Sequence, residues 1–563
     1  MDRGMISLKF AMLRNSSAGL RRAGWVLGAV FVLATWTTAA IAPSAEVRHE
    51  VLALVFALWL VGGMLGPVLM SGAGIIRADY FALLPLSRAT LGRALLVSVF
   101  VGVAATFVLL ALLASAWHAA SLSPATILVA VVGSLLAWVL VISLSRLVYG
   151  ALGAAMRTRL GIEIAGVQWG IVIASMFAGW MMVSVAFQTV PQLLQNGLPS
   201  GPIMVVLDAF PTSWTLLAIE AAAVGQWGTA ALWLTALLVL DAICVAGTVA
   251  LLVPRSQRVV RRRGRRRSAR LVAGGGLLPA TPTGAVVMKE LRQWRRDPWR
   301  ALESSTAVWT GAVIGVFALL GGYTAPAGAF AGVVVALMVA LSGCNLYGQD
   351  GSAVWQNVVG EGTWTVRADV RGRQWAMALV FLPRALLVSA VFVVVAQAWW
   401  AVPYVAASLP ATVGAAAGAA ILTSAIGVSP GVDPRRRVGP NDANGNIALH
   451  IWIALFATAI GVLPTVGIIL WAAFSGSPWV MAASVVVGIA NAFGAAWLLG
   501  RIAIGYLTTR MVDVFSRIRY GRVFRDKGSG LLDQLAATTL KGEQEALAYK
   551  QKERDKKLER SRA

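Results

Sequence analysis

The chain has 563 residues, of which 58% are hydrophobic and only 13% are charged, and its mean hydropathy is +0.75. Because soluble domains carry roughly 25% charged residues, this composition excludes an assembly of ordinary water-soluble domains. The two cysteines, Cys244 and Cys344, are too few for a disulfide framework or a cysteine-based metal site. The composition therefore predicts an all-α, polytopic membrane protein.

Apolar segments recur along the chain, and each is long enough to cross a hydrocarbon core of ~30 Å. Twelve spans are predicted, at residues 23–42, 51–71, 94–117, 125–148, 164–187, 229–253, 305–322, 328–347, 376–400, 405–428, 447–470 and 479–500. An even number of spans places the N and C termini on the same side of the membrane.

The basic residues predict which side that is. The formal net charge of +24 comes from 48 Lys and Arg residues against 24 Asp and Glu residues. All of these basic residues except Arg48 lie in or beside the terminal segments and alternate connections. Because cytoplasmic segments are enriched in Lys and Arg, both termini are predicted to be cytoplasmic, in the plasma (inner) membrane. The expected partner of this charge is the anionic lipid surface rather than nucleic acid.

A basic amphipathic segment precedes the first and the seventh span. In the first segment the apolar stripe includes Phe10 and Leu13. In the second it includes Leu291 and Trp294, and the charged residues Lys289 and Glu290 come directly before Leu291. A helix with one apolar stripe and a cationic remainder lies in the membrane interface. The segment is either only a membrane anchor or also a surface for a cytoplasmic partner.

These segments belong to a longer pattern that occurs twice. Two spans after each one, a polar turn contains an Asp, and the next span begins with Ala-Leu-Leu-Val-Ser at 94–98 and at 385–389. Parallel repeats of this kind are common in transporters, so two parallel six-helix repeats are predicted. The expected division is a first half at 1–254, a basic linker at 255–285, a second half at 286–516 and a charged cytoplasmic tail at 517–563.

Ionisable residues at membrane depth are few. Asp241 lies in the sixth predicted span, and Glu163 lies at the inner end of the fifth. Because charges within spans are costly and usually face the bundle interior, Asp241 is either a substrate or proton site or a structural hydrogen-bond partner. Between these two spans, residues 188–228 are expected to form short re-entrant or interfacial helices, whereas the matching loop at 471–478 is much shorter.

No catalytic site or nucleotide site is expected in this chain. A phosphate-binding P-loop ends in Gly-Lys-Ser/Thr, and none of the eight lysines follows a glycine. Residues 427–431 match a nucleophile-elbow pattern, but at the end of a span rather than in an α/β sheet. The three histidines, His49, His118 and His450, are scattered along the sequence, so no metal site is predicted.

Four stretches carry a resemblance to a known family: residues 84–87 (LPLS), 288–298 (MKELRQWRRDP), 347–351 (YGQDG) and 367–376 (RADVRGRQWA). In them the chain resembles the membrane subunits of type-2 ABC exporters, specifically the long fused actinobacterial permeases with two six-span halves. The resemblance covers residues 1–516. It implies a transport subunit that is not itself an enzyme and that forms a path for a hydrophobic or amphipathic small molecule, peptide or lipid.

The same resemblance assigns roles to the repeated segments. The amphipathic helices would be connecting helices, and the turns after the second span of each half would be coupling helices. These turns would dock on two copies of a separate ATPase subunit, which would bind ATP and Mg, so that this chain holds no cofactor. Residues 188–228 would form a short re-entrant extracellular helix pair. The residues implied in coupling are Asp79, Tyr80, Leu84, Pro85, Asp350, Val354 and Trp355.

Two other functions are compatible with the topology. An ion-coupled secondary transporter would work without an ATPase and would need a network of buried carboxylates. A membrane glycosyltransferase would need acidic residues clustered in the outward loops. The candidates for such a cluster are Glu46, Glu50, Asp208 and Glu220, which are dispersed in the sequence.

Overall fold

The computed structural model describes residues 2–14, 18–69, 81, 87–155, 159–198, 202–252, 280–321, 328–360, 362–430 and 447–520. Over these ranges the chain is almost entirely α-helical and contains no strand. The predicted all-α class is therefore confirmed.

The chain divides into two compact units. One comprises Met1–Ala155 and Ser184–Arg262, and the other comprises Met156–Val183 and Arg263–Ala563. This division differs from the halves expected from the sequence, because residues 156–183 belong to the second unit.

Eleven helices contribute to the first unit, and one of them, α8, supplies residues to both units. They are α1 (Asp2–Arg14), α2 (Ala18–Ile41), α3 (Ala45–Leu69), α4 (Arg88–Val99), α5 (Val103–Leu112), α6 (Ser115–Leu122), α7 (Ile127–Ala155), α8 (Arg159–Asn196), α9 (Pro202–Ala209), α10 (Trp214–Ala223) and α11 (Trp227–Leu252). The apolar core of this unit is centred on Leu52, Phe56, Leu112 and Leu216.

The second unit contains the first part of α8 and, among the described residues, nine further α-helices. Its helices are α12 (Pro282–Arg296), α13 (Pro298–Leu320), α14 (Ala331–Gly343), α15 (Leu346–Asp350), α16 (Trp355–Val359), α17 (Thr363–Val395), α18 (Val402–Ile426), α19 (Ala448–Ser475) and α20 (Pro478–Tyr520). A larger apolar core in this unit includes Tyr347, Phe381 and Leu409.

Many of these helices can cross a membrane. Within the described ranges, eleven are long and apolar enough, or up to thirteen if each of two bent helix pairs is one span. The helices are those of a multi-pass membrane protein. All twelve predicted spans coincide with helical segments, but 94–117 is divided among α4, α5 and α6, and 328–347 covers α14 and the start of α15.

The two halves differ at the connection between their last two spans. In the first half, α9 and α10 are only 8 and 10 residues long and meet at 95°. Each is too short to cross a bilayer alone, as expected for the short helices of residues 188–228. In the second half, α19 ends at Ser475 and α20 begins at Pro478, so no such helix pair separates them. Gly476 makes this tight turn with a φ of 61°, which favours glycine.

Small residues bring helices of the second unit close together. A Cβ atom on Gly414 would collide with the backbone of Ala492, and one on Gly418 would lie 3.0 Å from the Cβ atom of Leu499. The glycines four residues apart therefore let α18 pack closely against α20.

The connection between α12 and α13 positions the site described next. Thr281 caps α12 by accepting a hydrogen bond from the Gly284 amide. Pro282 occupies the first turn, where a backbone N–H has no partner within the helix, so the missing N–H of proline costs no hydrogen bond. Asp297 is the single residue between the two helices and caps α13 by accepting from the Trp299 amide at 2.9 Å. These hydrogen bonds fix where α12 begins and where α13 begins.

Candidate functional site

The stretches of the second half that carry the family resemblance meet inside the second unit. Glu290 lies on α12, Asp350 ends α15 and Arg373 lies on α17, while Arg300 joins them from α13. These four side chains are all buried. With Lys289 and Asp369 they form what we call the ion cluster.

Asp350 is at the centre of the ion cluster. Its carboxylate lies 2.5 Å from Nη2 of Arg300, 2.6 Å from Nη2 of Arg373 and 2.9 Å from Nζ of Lys289. Glu290 accepts a second bond from Arg300 at 2.5 Å and lies 3.2 Å from Nη1 of Arg373. Each arginine therefore bridges Glu290 and Asp350 through its two Nη atoms, which the several donors of a planar guanidinium allow.

The third carboxylate extends the cluster along α17. Nε of Arg373 donates to Asp369 at 3.0 Å, and the hydroxyl of Tyr347 donates to the same carboxylate at 2.8 Å. The Arg373 guanidinium also stacks 4.6 Å from the centre of the Tyr347 ring. Three acidic and three basic side chains thus balance in charge, which is what burial of so many ionised groups requires.

The electrostatic environment keeps Glu290 ionised. Burial opposes the charged form, but the positive charges of Arg373 and Arg300 outweigh burial and hold the pKa of the Glu290 carboxyl below its usual range. The carboxylate is therefore a permanent anion of the cluster at neutral pH.

The structure separates the coupling residues of the second half into two groups. Asp350 and Val354 are buried, whereas Trp355 is 50% exposed. Val359, at the end of α16, is 68% exposed and adds to this apolar surface. Asp350 is thus an internal anchor of the turn, and the side chains available to a partner are on α16. The corresponding residues of the first half, Asp79, Tyr80, Leu84 and Pro85, lie outside the described residues.

Helix α12, which the resemblance predicts to be a connecting helix, is packed against protein on one face. Val287, Glu290 and Trp294 are its buried side chains, and the Trp294 ring makes an edge contact with Phe381 at 5.3 Å. Leu291 is partly buried against the same core, and Lys289 is partly exposed. The stripe expected from apolar residues alone therefore missed Glu290, which is buried because arginines neutralise it.

The connecting helix of the first half is described only in part. Phe10 lies on α1 and is exposed. Leu13 also lies on α1, but its side chain is outside the described residues.

The two intramembrane carboxylates have different surroundings. Asp241, on α11, is buried, and neither carboxylate oxygen has a hydrogen-bond partner among the residues described. Glu163, on α8, is exposed and accepts hydrogen bonds from the Ser305 hydroxyl at 2.6 Å and the Trp309 indole at 3.4 Å. Only Asp241 fits the description of a buried, uncompensated carboxylate.

The first unit contains a second polar site that the sequence did not predict. Two histidines that were expected to be scattered, His49 and His118, meet with ring centres 6.3 Å apart. Nδ1 of His49 lies 2.8 Å from Oε1 of Glu220, and Nε2 of His118 lies 3.3 Å from the same oxygen. On the other side of its ring, His49 contacts Asp208 at 3.0 Å.

The acidic residues that looked dispersed also converge at this site. Glu46, Glu50, Asp208 and Glu220 all line one cavity of about 510 Å³. We call it the histidine–carboxylate cavity. The expectation of dispersal was wrong because His49 and Asp208 are 159 residues apart in the sequence but come from helix ends that pack side by side. Dispersal therefore no longer argues against an enzyme at this face.

Two neighbouring interactions hold the wall of the cavity. The Arg48 guanidinium donates to the carbonyls of Ala39 at 2.7 Å and Ala42 at 3.0 Å, which are at the C-terminal end of α2. Glu50 accepts a hydrogen bond from the Leu198 amide at 2.6 Å. The one basic residue outside the positive segments therefore has a structural role, as a cap for helix carbonyls that lack a helical partner.

Comparison with models of known protein families, with curated protein sequences and with solved structures finds no match. Inferences about function therefore depend on the two polar sites, the membrane architecture and the motif resemblance.

Proposed function

We propose that the chain is the membrane-spanning permease subunit of an ATP-driven exporter of the type-2 ABC class. In this proposal its twelve spans form two parallel halves with cytoplasmic termini in the plasma membrane. A separate ATPase subunit, bound in two copies, supplies the energy. The multi-pass helical architecture and the motif resemblance support this function.

The observation that carries the proposal is the link between α16 and the ion cluster. The exposed side chains of Trp355 and Val359 offer an apolar surface of the kind that dominates protein–protein binding. Immediately before them, Asp350 is held by Arg300 at the start of α13 and by Arg373 on α17. A partner that displaces α16 would therefore pull on two long helices at once.

The mechanism follows from this link. ATP binding closes the two ATPase subunits and shifts the turn that contains α16. Because the ion cluster is fully paired and buried, the turn and the cytoplasmic ends of α12, α13 and α17 move as one body. The two halves of the permease change their separation, and a hydrophobic or amphipathic substrate passes between them to the outside.

The test is coupling to a specific ATPase. The full chain is reconstituted in liposomes with a P-loop ATPase encoded next to it, and ATP hydrolysis is measured with Trp355→Glu and with Trp479→Glu. Trp479 is a matched control because it is 85% exposed at the start of α20. Loss of a central apolar contact costs about 2 kcal/mol or more, which is about a 30-fold loss in affinity.

The expected result is stimulation of ATP hydrolysis by the unmodified chain and by Trp479→Glu, and its loss in Trp355→Glu. Equal stimulation by all three would remove α16 from the interface. Charge reversal of Asp350 would not be a clean test of docking, because that carboxylate is internal to the ion cluster. Transport of a substrate in the absence of any ATPase would contradict the proposal as a whole.

One observation favours a second candidate, an ion-coupled secondary transporter. Asp241 is buried in α11 without a hydrogen-bond partner among the residues described, and such carboxylates often serve as proton sites in membrane carriers. In that case Asp241→Asn would abolish proton-driven uptake or efflux in liposomes that contain the chain alone. If transport needs ATP hydrolysis and survives Asp241→Asn, this candidate is eliminated.

A further inference from the structure

We propose that His49, His118 and Glu220 form a binding site for a divalent transition-metal ion of the zinc class. The site lies in the first unit, at the histidine–carboxylate cavity, and is independent of the proposed transport function. Each of the three residues offers one ligand atom, and these atoms all lie within 4.8 Å of one another.

The distances fit coordination of one ion. Zinc binds histidine nitrogen and carboxylate oxygen at about 2.0–2.2 Å, so two ligands of a tetrahedral ion lie about 3.3 Å apart. Oε1 of Glu220 is 2.8 Å from Nδ1 of His49 and 3.3 Å from Nε2 of His118. Small rotations of these side chains are enough to place one ion against all three.

His118 has the weakest polar contacts of the three residues. Its side chain is fully buried on α6, and its Nε2 atom lies 3.3 Å from Oε1 of Glu220, but neither ring nitrogen makes a well-formed hydrogen bond with any residue that the structure describes. Buried polar groups in folded proteins nearly always have a partner. A metal ion on Nε2, beside Glu220, supplies that partner.

His49 is oriented as metal-binding histidines usually are. Nε2 lies 3.0 Å from a carboxylate oxygen of Asp208. When Nε2 carries the proton and donates it to Asp208, the lone pair of Nδ1 points towards Glu220 and the ion. This carboxylate–histidine–metal arrangement fixes the ring and makes the ligand nitrogen more basic.

The cavity gives the ion access and an open coordination position. His49, Asp208 and Glu220 line its volume of about 510 Å³, while His118 lies behind them. Three protein ligands and one open position are typical of zinc sites that bind water or a further ligand. Glu50 also lines the cavity, but its Oε2 atom already accepts the Leu198 amide proton.

The ligand set selects the class of ion. Imidazole nitrogen suits zinc, copper, nickel and iron, whereas calcium and magnesium prefer all-oxygen sites. Two histidines with one carboxylate therefore favour a borderline transition metal over the more abundant hard cations. The rival explanation is a metal-free cluster in which protonated His49 lies between Asp208 and Glu220, and in which His118 has only the 3.3 Å contact of Nε2 with Glu220.

The experiment measures metal binding by the full chain, purified in detergent with an affinity tag that contains no histidine. After treatment with a chelator and dialysis, Zn²⁺ is titrated by calorimetry and Co²⁺ by its visible absorption, which reports coordination geometry. The variants are His49→Gln, His118→Gln and Asp208→Asn. The control is His450→Gln, which alters the one histidine outside the site.

One equivalent of Zn²⁺ is expected in the unmodified chain and in His450→Gln, with intense absorption of bound Co²⁺. Asp208→Asn should weaken Zn²⁺ binding about 10–100-fold, as loss of a partner of a metal ligand does, and the two ligand variants should weaken it further. The circular dichroism spectrum and gel-filtration profile of each variant, compared with those of the unmodified chain, separate a lost ligand from a misfolded chain.

Absence of stoichiometric Zn²⁺ binding in the unmodified chain would overturn the proposal. The same conclusion follows if Zn²⁺ binding is unchanged in both His49→Gln and His118→Gln. In either case the cluster would be a metal-free ion pair.

Discussion

The ion cluster and the histidine–carboxylate cavity are both polar sites. The ion cluster is balanced in charge and largely buried, whereas the cavity has more acidic residues than histidines, and its Asp208 and Glu220 side chains are 36% and 39% exposed. In the ion cluster, three acidic side chains face three basic ones, and each carboxylate contacts at least one cation. In the cavity, four acidic side chains meet two histidines beside an open volume, and His118 has no hydrogen bond to a described residue. A closely packed cluster with equal numbers of acidic and basic side chains stabilises the packing of helices. A site with an excess of acidic side chains beside an open cavity is suited to bind a ligand.

The largest effect should come from breaking the ion cluster. Arg373→Met leaves Glu290, Asp350 and Asp369 short of a shared cation inside the second unit. Breaking a buried ion pair by removing one partner costs about 3–5 kcal/mol. We expect the free energy of unfolding in detergent to fall by about that amount, measured by denaturant titration.

Arg371→Met on the same helix is the matched control for that variant. Arg371 donates to the carbonyls of Ala496 and Trp497 rather than to a carboxylate. Arg371→Met should lower the free energy of unfolding clearly less than Arg373→Met does. Equal losses in the two variants would show that the ion pairs of the cluster contribute no more to stability than hydrogen bonds to backbone carbonyls.

A smaller effect is expected at the wall of the cavity. Arg48→Met removes hydrogen bonds to the carbonyls of Ala39 and Ala42 and to the Ser121 hydroxyl. Because these are partly exposed, charge-assisted bonds that cap a helix end, we expect a loss of about 2 kcal/mol. Thermal unfolding of Arg48→Met would be compared with Arg22→Met, which alters an exposed arginine of α2 and should change stability by less than about 0.5 kcal/mol.

His118→Leu should cost very little in the metal-free chain. The substitution keeps a side chain of similar volume and removes no hydrogen bond to a described residue, so the free energy of unfolding should change by less than about 1 kcal/mol. A measured loss of more than about 2 kcal/mol would mean that His118 is a structural member of the Glu220 pair, and the contrast between the two sites would disappear.

The least pronounced effect is the pH dependence of the ion cluster. The pKa of Glu290 is lowered in the folded chain by Arg373 and Arg300, against the opposing effect of burial. A carboxyl with a depressed folded pKa stabilises the protein fully above its unfolded pKa of about 4.3 and loses that contribution as the pH falls through the folded value. The unfolding temperature should therefore be flat near neutrality and decline below about pH 4.

Glu290→Gln provides the comparison, because it has no carboxyl to protonate at that position. The variant should be less stable at neutral pH and should show a shallower decline in acid. An identical acid profile for both chains would show that Glu290 does not contribute to the decline.

The sequence predicted the helices better than the sites. Apolar runs indicated the long helices of a multi-pass membrane protein, and the Pro- and Trp-containing stretch at 188–228 indicated the short helices α9 and α10. The motifs at 288–298, 347–351 and 367–376 were recognised as related, but nothing in them revealed that Glu290, Asp350 and Arg373 are in contact. Asp350 was expected in a docking turn, and it is instead the buried anchor of that turn.

The cavity shows why such sites escape a reading of the sequence. His49, His118 and Glu220 follow no short motif and lie on three different helices. One signal was available: these residues all lie in predicted connections that carry only one basic residue, Arg48. Position along a span restricts a residue to a depth but does not specify its neighbours around the helix bundle.

Hydrophobic length and charge asymmetry, which are local properties of the chain, were enough to establish a helical, multi-pass membrane protein. Side-chain partners depend on how helices pack and rotate against one another, and those choices are made by contacts between residues far apart in the chain. Only the tertiary structure could therefore distinguish a closed set of ion pairs in the second unit from an open pair of histidines in the first.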